Sequence, residues 1–371
     1  MQKTSDEFYM RRALDLAKRA WGDTAPNPMV GAVLVKNGQI IGEGWHKKDG
    51  GAHAEIECLR SAKEPPKGAA IYVTLEPCST HGRTGACSDA IIAAGISSVK
   101  IGTLDPNPLH AGRAVEIFRK AQIECESGIL EKECAALNFI FNHAITENSP
   151  LVALKYALSA DGKIAEIRGR QTAITSETAR ADVMKYRRLF SAIAVGRGTL
   201  ESDNPALTSR GFREAEYSPT RLIFDAALNI AQTENPKKFA VFSDVFANLT
   251  AVVCDLNADA ERRGKLESAG ISVMQIDAPA DSAEFWRKLK LRLFQKRITS
   301  LYIEGGASLI KSVCDARAAD FAFEYRSPKI VGEGGLHAFE NGVRPFEIDG
   351  EKIALGEDTL TYGKIKWNPK M

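Results

Sequence analysis

The stretch GGAHAEIECLR, residues 50–60, followed by YVTLEPCSTHGRTGAC, residues 72–87, decides how this chain is read. His53, Cys78 and Cys87 supply one imidazole and two thiols. Catalytic zinc takes three such protein ligands and keeps a fourth position for water. Glu55, two residues after His53, is placed to move protons to and from that water. The spacing constrains the geometry. Side chains at i and i+2 of a helix point about 200° apart, so His53 and Glu55 address one point only if His53 sits where the helix begins. Gly50 and Gly51 permit that approach of the backbone. Cys78 ends the strand YVTLEPC, where Pro77 blocks further ladder pairing. Cys87 opens the helix SDAIIAAG, whose N-terminal partial positive charge favours a thiolate. All three ligands then come from element ends on one edge of a sheet. Cys58, Cys125, Cys134, Cys254 and Cys314 are read as small buried apolar residues.

Working outward, VGAVLVKNGQIIGEG is a hairpin with Asn37-Gly38 in its turn. EIECLRSAK is a helix, AAIYVTLEPC a strand, and SVKIGTLDPNP a strand running into a turn. Alternating helices and strands predict a layered α/β domain. The N-terminus is an amphipathic helix, with Phe8, Leu14, Ala17 and Trp21 at helical spacing among charges. After the helical run GILEKECAALNFIFNHA, the segment ITENSPLV (145–152) marks a boundary. It divides a domain of residues 1–147 from one of residues 148–371. In the second part AIAVG, RLIFDA, FAVFSD, AVVCDL, SVMQID, SLYIEGG and DFAFEY read as strands. TSETARADVMKYRRLF, ADAERRGKLESAG and EFWRKLKLRLFQKR read as helices, giving a second α/β domain.

The bulk composition narrows the classes. The chain has 371 residues, 44% hydrophobic and 26% charged, which fits a globular protein of two domains. Lys plus Arg is 49 against 47 for Asp plus Glu, so no global basic excess points to nucleic acid. No apolar run reaches the ~18–20 residues that cross a bilayer, and the N-terminus lacks the apolar stretch of a signal peptide. The expected compartment is the cytoplasm. Seven cysteines, an odd number, do not suggest a disulfide framework.

HAE followed by PC matches the zinc-deaminase signature, in which the glutamate is the general acid/base. Cys87 departs from it, lying nine positions after Cys78 rather than three. The intervening polar loop STHGRTGA, with His81 and Arg83, suggests recognition of an anionic group. APNPMVGAVLV, GEGWHKKDGGAHAE, YVTLEPCSTHGRTGACSDAI and LDPNPLHAGR resemble the deaminase half of the bifunctional pyrimidine deaminase/reductase family of riboflavin biosynthesis. The resemblance implies a cytidine-deaminase-like three-layer domain that deaminates a phosphoribosylated diaminopyrimidinone by water attack, releasing ammonia. It places one zinc per chain on His53, Cys78 and Cys87, makes Glu55 the proton shuttle, and puts Asn27, His46 and Arg83 on substrate. The family usually has His after PCS, where this chain has Thr80 and then His81.

The second domain has no G-x-G-x-x-G after a strand, which argues against a dinucleotide-binding Rossmann domain. IEGGASLIKS (303–312) instead runs a strand through two glycines into a helix, whose first amides can cradle phosphate. LKYALSADGKIA, ITSETARADVMKYRRLFSAIAVGRGTLESDNPALTSR and YIEGG resemble the reductase half of the same family. That implies a dihydrofolate-reductase-like fold that uses NADPH to reduce the ribose to an open ribityl chain. By the same resemblance Ala157, Thr175, Thr199, Asp203, Gly305, Gly306 and Ala307 bind cofactor. Lys155, Ser159, Asp161, Arg187, Leu207, Arg210 and Glu304 hold or act on substrate. Arg187 and Arg210 suit a substrate phosphate. Lys155, in an apolar strand, needs a partner, for which Asp161 or Asp203 offers itself. Two positions depart from the family: Ala160 in S-L-D-G, and Ala173 where a Trp precedes I-T-S, a loss of contact area beside the cofactor. A live deaminase with a degenerate second domain is the alternative within enzymes. A nucleic-acid base deaminase would need a basic groove and stacking aromatics, which balanced charge and 8% aromatics do not offer. The expected partners are a small-molecule phosphorylated pyrimidine and further copies of the chain, with neither nucleic acid nor membrane.

Overall fold

The structure is a computed structural model that describes residues 5–80, 85–167, 169–170 and 172–369. The chain divides into two compact units, Met1–Asn148 and Ser149–Met371.

The first unit is built on a five-stranded sheet in the order β2-β1-β3-β4-β5. Its strands are β1 (Gly31–Lys36), β2 (Gln39–Trp45), β3 (Ala70–Leu75), β4 (Ser98–Thr103) and β5 (Glu124–Ser127). The hairpin β1–β2 is antiparallel, and β3, β4 and β5 run parallel. Asn37 and Gly38 both take positive φ, 50° and 76°, as a two-residue hairpin turn of the right twist requires. Consecutive residues are buried in β1 and β3, Ala32, Val33 and Leu34 in one and Ile71, Tyr72 and Val73 in the other, so these strands are covered on both faces. The helix Ala54–Arg60 lies directly on the hairpin. Gly44 makes this possible: a Cβ there would collide with the backbone of Cys58 and Ala54.

The second unit holds a nine-stranded sheet in the order β11-β10-β9-β8-β12-β6-β13-β16-β15. The strands are β6 (Leu151–Leu158), β8 (Ala192–Gly196), β9 (Thr220–Phe224), β10 (Thr250–Cys254), β11 (Ser272–Gln275), β12 (Ser300–Ile303), β13 (Phe321–Arg326), β15 (Phe346–Leu355) and β16 (Asp358–Trp367); β7 (Lys163–Ala165) and β14 (Leu336–His337) pair separately. The strands from β11 to β13 are parallel, and the hairpin β15–β16 joins antiparallel to β13. A core of Leu154, Ala194, Leu222, Leu289, Leu301, Ile303 and Ile310 fills the space between sheet and helices. The strand expected at FAVFSD does not form. Residues Ala240–Phe242 are a 3-10 turn, and Val241 and Phe242 are buried there. A short apolar run buries its side chains as well in a turn as in a strand, and periodicity cannot separate the two. Among the described residues no helix is long and apolar enough to cross a membrane.

Candidate active sites in the two units

His53 is the residue just before the helix Ala54–Arg60, in extended conformation (φ −71°, ψ 161°). The helix Cys87–Ala93 begins at Cys87 itself. Cys78 follows β3 by three residues. The ligand atoms of His53, Cys78 and Cys87 lie within 4.8 Å of one another. His53 Nδ1 is 3.2 Å from Cys87 Sγ and 3.5 Å from Cys78 Sγ. Tetrahedral zinc with Zn–N of about 2.0 Å and Zn–S of about 2.3 Å requires N···S edges of roughly 3.6 Å, so these three atoms fit the ion. The Cys87 backbone N–H donates to Cys78 Sγ at 3.3 Å. That bond, the Cys87 thiol and His53 together pull Cys78 well below the ordinary thiol range.

Glu55 is buried beside the cluster at 3% exposure, and burial raises its pKa to about 7. A carboxyl poised there exchanges protons readily near neutrality. His46 Nδ1 donates to Ala52 O, 3.0 Å away, and its ring meets that of His53 edge to face at 5.6 Å between centroids. Burial lowers its pKa. His46 is 4% exposed, and its buried Nε2 has no hydrogen-bond partner among the described residues, which leaves that nitrogen for a ligand. Asn27 donates from Nδ2 to Asp49 Oδ1 at 2.9 Å. Thr80 is exposed, and His81 and Arg83 lie outside the described residues. Glu76, between Leu75 and Pro77, went unremarked in the sequence. Its buried carboxylate accepts from the backbone N–H groups of Asp105, Gly112 and Ala114 at 2.9–3.1 Å. It thereby ties the LDPNPLHAG loop to the strand end that bears Cys78. A buried acid in an E-P-C turn with no cation nearby in sequence was the available signal.

In the second unit a cavity of about 1630 Å³ opens along the ends of β6, β8 and β12. Lys155, Ala157, Thr175, Arg187, Thr199, Asp203, Leu207, Arg210, Glu304, Gly305, Gly306 and Ala307 all line it. Ser159 and Asp161 do not. Ser159 is fully buried and donates from Oγ to Asp161 Oδ1 at 2.6 Å, and Asp161 accepts from the N–H groups of Val331 and Gly332. These three bonds brace Asp161 and tie it to the 331–332 loop, and they hold the Asp161 carboxyl well below the usual range. Lys155 finds neither Asp161 nor Asp203 but Glu304, 3.7 Å away. Arg187 takes the same carboxylate with both edges of its fork, Nε to Oε1 at 2.6 Å and Nη2 to Oε2 at 3.0 Å. Its Nη1 donates to Thr208 O. Arg187 is therefore largely spent on the protein, whereas Arg210 stays exposed in the cavity wall. Two cations around one carboxylate drive Glu304 down to about 2, while burial and the Arg187 charge lower Lys155. IEGGASLIKS forms the expected strand and turn, with Gly306 preceding the helix Ala307–Asp315. Arg170, Arg180, Arg197, Asp225 and Asn229 also line the cavity and were not singled out in the sequence. They come from separate segments that only the fold assembles.

Residues 150–347 match the family described as RibD C-terminal domain, and residues 3–103 match the cytidine and deoxycytidylate deaminase zinc-binding region. The riboflavin biosynthesis protein RibD of Actinobacillus pleuropneumoniae is 42% identical over 88% of this chain and 85% of its own length. The chain belongs to the RibD family. The RibD of Aquifex aeolicus is 39% identical over 98% of this chain and 99% of its own. A Thermotoga maritima structure named diaminohydroxyphosphoribosylaminopyrimidine deaminase/5-amino-6-(5-phosphoribosylamino)uracil reductase is 35% identical, with a TM-score of 0.80 and coverage of 97% and 98%. Acinetobacter baumannii RibD aligns with a TM-score of 0.79 at 32% identity. Like its RibD relatives, the chain is a bifunctional enzyme with a zinc-binding deaminase domain and a reductase domain.

Proposed function

We propose that the first unit deaminates 2,5-diamino-6-(5-phosphoribosylamino)pyrimidin-4(3H)-one and that the second reduces the ribose of the product with NADPH. The observation that carries the first step is the convergence of His53 Nδ1 and two cysteine sulfurs beside a buried glutamate. Zinc held by His53, Cys78 and Cys87 supplies a Lewis acid that makes hydroxide available at neutral pH. Glu55 takes the proton of the attacking water at a carboxylate oxygen and passes it to the departing amine, so ammonia leaves. Buried at 3% exposure, it keeps that proton from bulk solvent. His46 Nε2 and Asn27 orient the pyrimidine, and Arg83 holds the phosphate.

In the second unit the nicotinamide brings the hydride chemistry. The cavity, at about 1630 Å³, has room for a dinucleotide and a nucleotide together. Gly305, Gly306 and Ala307 let the cofactor approach the backbone at a helix start, with Thr175, Thr199, Asp203 and Ala157 around it. When bound, the cofactor would supply a hydride to the anomeric carbon of a ribose seated beside it, with the ring C–O bond opening. Lys155, whose proton burial loosens, delivers a proton to the freed ring oxygen. Glu304 keeps Lys155 and Arg187 in place, and Arg210 holds the phosphate. The divisions 1–147 and 148–371 then separate two complete active sites. The enzyme works in the cytoplasm, where its seven unpaired thiols stay reduced. It assembles as a homo-oligomer, which sedimentation would register.

The test is a coupled assay on the purified zinc enzyme. Ammonia release should precede loss of the reduced nicotinamide absorbance. Ammonia without nicotinamide oxidation would reject the reductase half and favour a degenerate second domain. Absence of ammonia from zinc-loaded enzyme would reject the deaminase half.

A further inference from the structure

Leu207 lines the reductase cavity at 1% exposure with a φ of 57°. Asn204, three residues earlier, has a φ of 42°. A leucine in the left-handed region crowds its Cβ against the backbone, and such a conformation persists only where the surroundings over-determine it. Two arginines do so here. The carbonyl before Leu207, on Ala206, accepts from Arg221 Nη1 at 2.9 Å, and the carbonyl after it, on Thr208, accepts from Arg187 Nη1 at 3.1 Å. Arg187 belongs to the cavity. Arg221 does not line it.

Arg221 sits on β9 and is 0% exposed. Its Nε donates to Thr250 Oγ1 at 2.8 Å. Nη2 donates to Val241 O at 3.0 Å and to Asp244 Oδ1 at 2.8 Å. Nη1 reaches Asp244 Oδ2 at 2.6 Å as well as Ala206 O. A guanidinium in the core is costly unless its donors are met, and an apolar side chain would serve the sheet with less desolvation. What the arginine adds is a rigid fork, fixed by Asp244, with one donor aimed at the strained turn.

We propose that Arg221, locked by Asp244, is a positioning residue for the reductase: it holds the Leu207 turn so that Leu207 and Arg210 form the substrate wall of the cavity. The proposal rests on the reductase reading of the second unit. It extends the working site to a buried ion pair on the far side of the loop.

The test uses the full zinc-loaded enzyme, with R221K and D244N as separate variants, fed the deaminated pyrimidine directly. Lysine keeps the charge but cannot span Asp244, Thr250, Val241 and Ala206 at once. A displaced loop should raise the KM for the pyrimidine about tenfold or more, while the KM for NADPH stays within about twofold and ammonia release from the first unit is unchanged. Amide exchange over residues 205–210 should quicken in both variants at temperatures where the circular dichroism is that of wild type. A folded variant with wild-type pyrimidine KM and wild-type exchange in that segment would overturn the proposal. So would loss of fold in both variants, because the pair would then serve the core rather than the turn. If wild-type enzyme oxidises no NADPH with this pyrimidine, the reductase reading itself fails, and the exchange comparison still reports on the turn.

Discussion

Replacing Glu304 by glutamine leaves Arg187 and Lys155 as two neighbouring cations without their shared carboxylate. All three side chains are no more than 17% exposed, so solvent screening recovers little of the loss. The magnitude follows from the proton equilibrium. Arg187 and Lys155 move Glu304 from 4.5 to about 2, which corresponds to roughly 3 kcal/mol at about 1.4 kcal/mol per tenfold. Breaking a buried pair by removing one partner costs a similar ~3–5 kcal/mol. For a domain of this size each kcal/mol lowers Tm by about 2–4 °C, so the reductase transition should fall by roughly 6–12 °C. That transition should be the one that added NADPH raises in calorimetry if the proposed reductase site binds it. The sign with pH is fixed. Glu304 is depressed, so its contribution is complete above about 4.5 and is lost as pH falls towards about 2. The gap between wild type and Glu304→Gln should be constant from pH 7 to 5 and narrow below 4.5. A Tm change under about 2 °C at pH 7, or a gap that widens in acid, would refute the reasoning.

Glu55→Gln should keep one zinc per chain, because His53, Cys78 and Cys87 are untouched, yet slow ammonia release by about 10²–10⁴, with reduction of supplied deaminated product unaffected; an active mutant would remove Glu55 from the chemistry. Cys87→Ala should lose the metal at neutral pH, measured by elemental analysis after gel filtration, since two protein ligands remain of the three. Glu76→Gln should cost about 1–3 kcal/mol in the deaminase transition, because with the amide oxygen turned to the Asp105 and Gly112 N–H groups the amide nitrogen cannot accept from the Ala114 N–H. An unchanged melting profile would show that the loop is held by other contacts.

The His53–Cys78–Cys87 cluster was legible because its constraints are local and chemical. Glu55 lies two positions after His53, and only a helix start lets both face one point; the structure puts His53 at that start. Pro77 and the opening of the helix at Cys87 placed the two cysteines in the same way. The hairpin was legible from Asn37-Gly38, whose positive φ values few other pairs adopt. What was not legible depends on contacts distant in sequence. The partner of Lys155 is Glu304, 149 residues away, just past the end of the neighbouring parallel strand β12. FAVFSD has strand composition, but residues 240–242 lie in a tight turn under Arg221, which bonds the Val241 carbonyl. The strands β15 and β16 were not marked either. Their alternation is weak because much of β15 is exposed.

The residues drawn from the S-x-D-G motif show why a motif residue need not touch a ligand. Asp161 clasps the loop at 331–332, Ser159 braces Asp161, and the Ala160 N–H donates to Lys329 O at 2.8 Å. Asp161 and Ala160 bond backbone groups of that segment, and Ala160 does so through its own N–H, so its methyl replaces a larger side chain without breaking a bond. Ala173 is different. It lines the cavity, and its own carbonyl accepts from Lys329 Nζ at 3.2 Å. The anchoring of the lip survives there, while the ring area that a tryptophan would lay against a ligand is absent. Ile167, 57% exposed and lining the same cavity, offers apolar surface to a bound ligand. The departure at Ala160 is therefore neutral in bonding. The one at Ala173 acts on affinity, where KM registers it and protein stability does not.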